Sequence, residues 1–171
     1  MCIVETIKKV LVPVWYKESM IGRSIGKSGS KLRKEQKREF KKKLCEAIEK
    51  LVRQVDSENL CNRNIREEIK KLANTTAVTI GQAQKVINVY LKYYCILCDK
   101  PLEELDCPLD SGIMKKHKNA NYRPTLLKDM TEEKFDEYEG WQEHLRKVGQ
   151  GIRIKPDIDC YDKNRIKKFL K

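Results

Sequence analysis

No run of about 18 apolar residues occurs anywhere in the sequence, so a membrane-spanning helix is not expected. No segment sustains the apolar–polar alternation of a half-buried strand, which argues against a β-sheet and for an all-α chain. Internal repeats are missing, which excludes a solenoid. The opening "MCIVETIKKVLVPVW" lacks the ordered charge, apolar core and small-residue cleavage site of a signal peptide, so a cytoplasmic location is expected. The seven cysteines are odd in number and irregularly spaced, a pattern that fits free thiols in a reducing compartment rather than a disulfide framework. With 171 residues, 40% of them hydrophobic and 36% charged, the chain is expected to bury one core without a staple, as a compact single domain spanning 1–171 and most simply a monomer.

What the sequence has in excess is positive charge, a formal +12. Such a balance favours a polyanionic partner, with DNA or another nucleic acid ahead of a membrane surface or an acidic protein. The charge is concentrated: residues 22–53 hold twelve Lys or Arg against four Asp or Glu. This region opens on "GRSIGKSGSK", where Gly22, Gly26 and Gly29 among serines predict a basic flexible loop over 22–30. A helix is expected from a Ser30 cap to about Asp56, with Phe40, Leu44, Ala47, Ile48, Leu51, Val52 and Val55 at helical spacing. On its other face and in the loop before it, Arg23, Lys27, Lys31, Lys34, Lys37, Arg38 and Lys41 are candidate phosphate contacts, able to follow a backbone without reading bases.

Further helices are expected over about Asn62 to Ala73, Gln82 to Leu97 and Ser111 to His117. Another is expected from a Thr131 cap, with Phe135, Tyr138, Trp141, Leu145 and Val148 at helical spacing, and a short basic one from about Asp162 within a basic C-terminal tail over 151–171. "GRSIGKS" has three residues where a nucleotide-binding loop needs four between its glycine and its Gly-Lys-Ser, and no strand precedes it, so a basic loop is the better reading. Cys95 and Cys98 form a Cys-x-x-Cys with Cys107 and His117 downstream. That spacing matches no familiar zinc finger, and both cysteines fall inside an apolar helix. No metal and no cofactor is therefore expected, and His144 reads as a surface or satisfied histidine.

The stretch "GQAQKVINVYLKYY", Gly81 to Tyr94, is apolar almost all round except for Lys85, Asn88 and Lys92, which form one polar stripe. A cation on a buried helix needs a partner. Downstream, "CPLDSGI" places Asp110 at the N-cap of the next helix, where backbone N–H groups and the helix dipole favour its charged form. A carboxylate so held can stabilise an oxocarbenium ion at a sugar C1′ and orient a nucleophile, and a lysine can attack the same carbon.

Lys85 in "AQKVINVYLKY", followed by Pro108-Leu109-Asp110-Ser111, resembles the catalytic lysine and Pro-x-Asp-[Ser/Thr] turn of the helix-hairpin-helix DNA glycosylases. The likeness is greatest to the archaeal 8-oxoguanine branch and covers about residues 79–114. In place of that family's Gly-rich hairpin, "VTIGQAQK" keeps a single glycine, Gly81, and the four-cysteine cluster of the iron–sulfur members is missing. The resemblance implies a helix-hairpin-helix glycosylase-like bundle that flips out a damaged or modified base and cleaves its N-glycosidic bond, in repair or in defence against modified foreign DNA. Lys85 and Asp110 would be its catalytic pair, with Gln84, Asn88, Lys92 and Tyr90 as base or substrate contacts and Tyr93 and Tyr94 as further stacking candidates. The alternative is a non-catalytic nucleic-acid-binding protein that uses the basic loop and helix.

Overall fold

The computed structural model describes residues 32–162. Within them the regular elements are all helical: α1 (Lys34–Asp56), α2 (Asn62–Asn74), α3 (Ile80–Leu97), α4 (Ser111–Lys116), α5 (Phe135–Val148) and a short α6 (Lys155–Asp157). Single 3₁₀ turns at Leu127–Asp129 and Glu132–Lys134 lead into α5, and a π-helical turn, Ile158–Asp162, follows α6. The expected loop at 22–30, Arg23, Lys27, Lys31 and the final basic helix of the tail lie outside the described residues.

The periodicity of α1 predicts its buried face. Phe40, Leu44, Ala47, Ile48, Leu51, Val52 and Val55 are all inside, and they meet Ile65, Ile69 and Leu72 of α2 and the apolar body of α3 in one core. At its N-terminus the orphan backbone N–H of Arg33 is taken up by the Gln36 side chain at 2.9 Å, as helix ends require.

α3 starts two residues earlier than the sequence indicates because Thr79, not the residues after Gly81, makes the cap. Its hydroxyl accepts from the Gln82 N–H at 3.2 Å, and Gln82 Oε1 accepts the Thr79 N–H at 3.0 Å. This reciprocal capping box satisfies two orphan donors. It leaves Gly81 inside the first turn, where the Leu127 carbonyl comes so close that a Cβ would lie 2.4 Å from it. The Gly81 N–H goes to the Met130 carbonyl at 3.0 Å. Only a glycine allows this close backbone crossing, and it docks the 127–130 turn onto the start of α3.

The helix expected from Thr131 also differs at its start. Thr131 makes no side-chain cap, and the chain runs through the 3₁₀ turn Glu132–Lys134 before α5 begins at Phe135. Phe135, Tyr138, Trp141 and Leu145 then point inward as their spacing predicts, whereas Val148, at the end of the same stripe, is exposed in the last turn. Among the described residues no helix is long and apolar enough to cross a membrane.

Candidate active site

Leu105–Leu109 is a segment outside any regular element and buried at every residue, so its peptide groups must find partners away from water. Among the described residues no strand lies beside it; side chains take that place. Gln142 of α5 accepts the Cys107 N–H at 2.7 Å and donates to the Cys107 carbonyl at 2.8 Å. Gln84 of α3 does the same for Leu109, accepting its N–H at 3.1 Å and donating to its carbonyl at 2.8 Å. Between them, the Pro108 carbonyl accepts from Lys85 Nζ at 3.1 Å. Two amides and one ammonium thus hold the backbone of three consecutive residues, Cys107 to Leu109, and fix where the segment ends.

It ends at Asp110, whose two carboxylate oxygens have different tasks. Oδ1 accepts the Ile113 N–H at 2.9 Å and caps α4, as its position in "PLDS" predicts, while Oδ2 accepts from Lys85 Nζ at 2.9 Å. The Lys85 and Asp110 side chains retain 18% and 27% of their exposure, so the pair is anchored from inside and open to solvent outside. The structure therefore brings together the two residues singled out as reactive, although 25 positions separate them.

The rest of the polar stripe lies deeper. Asn88 donates to Gln84 Oε1 at 3.3 Å and to the Tyr138 hydroxyl at 3.1 Å, while its buried Oδ1 meets no hydrogen-bond partner among the described residues. Lys92 reaches Asp157 of α6 at 2.6 Å, both side chains nearly sequestered, and lies 4.4 Å from the centre of the Tyr93 ring. Gln84, Asn88, Lys92 and Tyr90 are all buried. These four expected substrate contacts are thus inside the protein beneath Lys85 and Asp110, not on the surface beside them. Tyr90 stacks on Tyr94 with ring centres 6.3 Å apart, and burial pushes its phenol up. Tyr94 donates to Asp56 at 2.6 Å, tying α3 to the end of α1.

A second buried centre lies at the start of the same segment. Asp106 receives Arg66 of α2 through two hydrogen bonds, at 2.9 and 3.2 Å, and the Tyr138 hydroxyl at 2.9 Å, with Arg153 at 3.6 Å. Burial pushes the Asp106 carboxyl up, while Arg66, Tyr138 and Arg153 pull it the other way. Arg66 also donates to Glu139 at 3.2 Å. Through Tyr138, Asn88 and Gln84, hydrogen bonds run without a break from Asp106 to Leu109, the residue before Asp110.

Gln142, Tyr138, Asp106, Arg66, Arg153 and Asp157 are positioning residues that the sequence pattern alone does not single out. For Gln142 a signal exists, since it follows Tyr138 by four and precedes Leu145 by three on the apolar face of α5. Asp106, flanked by Leu105 and Cys107, is a second such signal. Arg66 sits in a helix dense with charge, and nothing local marks it out.

The cysteines have other surroundings. Cys95 and Cys107 are core residues, and burial pushes the Cys95 thiol up to about 12. Among the described residues no group of three His, Cys, Asp or Glu is placed to hold a metal ion. His144 Nε2–H donates to the His117 carbonyl at 2.9 Å, and the ring meets the edge of Trp141. On α1, Lys34, Lys37, Arg38 and Lys41 all lie on the exposed face.

No family model, no curated protein and no solved structure matches this chain.

Proposed function

We propose that the protein is a DNA glycosylase acting on a damaged or modified base, with Lys85 and Asp110 as its reactive pair. The observation that supports this most is the 2.9 Å contact between Lys85 Nζ and Asp110 Oδ2 at a partly exposed site with a braced interior. At this partly exposed site the Lys85 ammonium gives its proton to solvent, which frees the amine electron pair to attack C1′ as the base departs, and Asp110 keeps its charge. The carboxylate left beside the sugar offsets the positive charge that develops there. Extrusion of the nucleotide costs a few kcal/mol, which contacts in the bound state must offset. In this reading Gln84 and Asn88 act through Asp110: they hold the segment that carries it and touch no base. Lys34, Lys37, Arg38 and Lys41 would supply sequence-independent affinity for phosphate.

A second reading, a nucleic-acid-binding protein without catalysis, is supported by the exposed basic face of α1. One variant separates the two. Asparagine caps helices about as well as aspartate, so Asp110→Asn should keep α4 and change stability by well under about 1 kcal/mol. It removes the full charge, and doing without one such preorganised interaction costs about 10² to 10³ in rate. Wild-type protein, incubated with duplexes carrying a panel of modified bases and then treated with alkali, should cleave one of them. The variant should bind the same duplex and cleave it hundreds of times more slowly. Borohydride should trap an imine between Lys85 and the abasic sugar. Base release at the wild-type rate by Asp110→Asn would remove Asp110 from the chemistry, and DNA binding with no release across the panel would establish the binding-protein reading.

A further inference from the structure

Away from the Lys85–Asp110 pair, the far end of α4 brings a thiol, an amine and an imidazole together. Lys116 Nζ lies 2.8 Å from Cys160 Sγ, closer than nitrogen ordinarily comes to an atom as large as sulfur. His117 Nε2 is 3.9 Å from the same sulfur. His117 is itself held in place by His144, whose ring nitrogen is 2.9 Å from the His117 carbonyl. Cys160 is half-buried and Lys116 exposed, so small oxidants reach both. Cys95 and Cys107, in contrast, are sealed in the core.

Thiol reactivity toward peroxide rises with access. Lys116 places a nitrogen within reach of the sulfur. Burial, together with the positive charge of Lys116, lowers the His117 pKa, so its imidazole is neutral near pH 7 and available to take the thiol proton.

We propose that Lys116 and Cys160 form a redox-sensitive pair that hydrogen peroxide closes into a lysine–oxygen–cysteine cross-link. The separation leaves room for one bridging atom between nitrogen and sulfur and is too long for a direct bond. In the first step the sulfur attacks one peroxide, its proton leaves, and a sulfenic acid and water form. In the second step another peroxide oxidises the assembly as the sulfenic oxygen bonds to the lysine nitrogen. Overall one S–H bond of Cys160 and two N–H bonds of the Lys116 ammonium are broken, one S–O and one O–N bond form, two peroxides are reduced, three waters leave and one proton is released to solvent. The cross-link fastens the end of α4 to the turn Ile158–Asp162 and is opened by a dithiol reductant. It depends on no part of the glycosylase reading.

The test is mass spectrometry of the full chain after peroxide treatment and proteolysis. The expected product joins the Lys116 and Cys160 peptides with a gain of about 14 Da, one oxygen added and two hydrogens removed. It should disappear with dithiothreitol and be missing from Lys116→Arg and Cys160→Ser. The wild-type measurement stands by itself if either variant fails to fold. A linked product about 2 Da lighter than the two peptides, which is a direct nitrogen–sulfur bond, overturns the proposal. So does Cys160 recovered only as sulfinic acid or disulfide, or a cross-link formed equally well by protein unfolded in urea.

Discussion

His117 sits beside two positive or potentially positive groups, Lys116 and His144, and its own charge is unwelcome there. Burial is the largest cause of its lowered pKa, followed by Lys116 and His144, with Asp159 opposing. A histidine with a depressed folded pKa binds fewer protons folded than unfolded, so the stability it allows is present above the unfolded value and lost as pH falls through the folded one. His117→Gln, which cannot titrate, should therefore lose less thermal stability than the wild type between about pH 7.5 and about pH 5. Parallel melting curves at the two pH values check this, and equal losses in the two proteins would remove His117 from the acid response. The same residue shows a limit on legibility. Its partners, Cys160 and the His144 ring, lie 43 and 27 positions away, and no local spacing announces them.

At the scale of elements, α1, α2 and α5 are legible because each has one apolar stripe, and the stripe fixes both the helix and its buried face. α3 is legible in another way: Lys85, Asn88 and Lys92 mark where polar partners must meet a helix that is otherwise buried, although the identity of the partners is not readable. They come from 25, 50 and 65 positions away. The segment 105–109 is the least legible, since a buried stretch outside any regular element leaves no periodic trace. Its dependence on Gln142 gives a sharp expectation. Gln142→Met keeps the volume but orphans a buried N–H and a buried carbonyl of Cys107, at roughly 1–3 kcal/mol each. A loss of about 2–4 kcal/mol in urea unfolding is expected, together with slower base release if the segment places Asp110. A loss below about 0.5 kcal/mol would show that water takes over both groups. For α1 the expectation concerns salt. Neutralising Lys34, Lys37, Arg38 and Lys41 together should flatten the slope of log affinity for DNA against log salt by up to about 0.9 for each phosphate that is no longer neutralised. An unchanged slope would take this face out of the binding surface.

Across the whole molecule, Asp106 is the point where separate parts of the chain are joined by charge. Arg66 brings in α2, Tyr138 and Glu139 bring in α5, Arg153 brings in the turn after it, and Asp106 itself begins the buried segment that ends at Asp110. An all-apolar junction could join the same elements, and buried ion pairs are often no more stabilising than well-packed hydrophobic replacements. What a directional network adds is registration: two hydrogen bonds from one guanidinium fix both the position and the rotation of the carboxylate. Stability and registration can be separated by a double-mutant cycle. Arg66→Met alone leaves Asp106 buried with only Arg153 and the Tyr138 hydroxyl, and should cost about 3–5 kcal/mol in unfolding free energy. Asp106→Leu with Arg66→Met removes the stranded charge as well and should recover most of that loss. If the network serves to place Asp110, the double variant will be nearly as stable as the wild type yet impaired in base release, with DNA binding through α1 retained. Full activity in a stable double variant would mean that the Gln84 and Gln142 clamps suffice to hold the segment and that Asp106 contributes only to the fold.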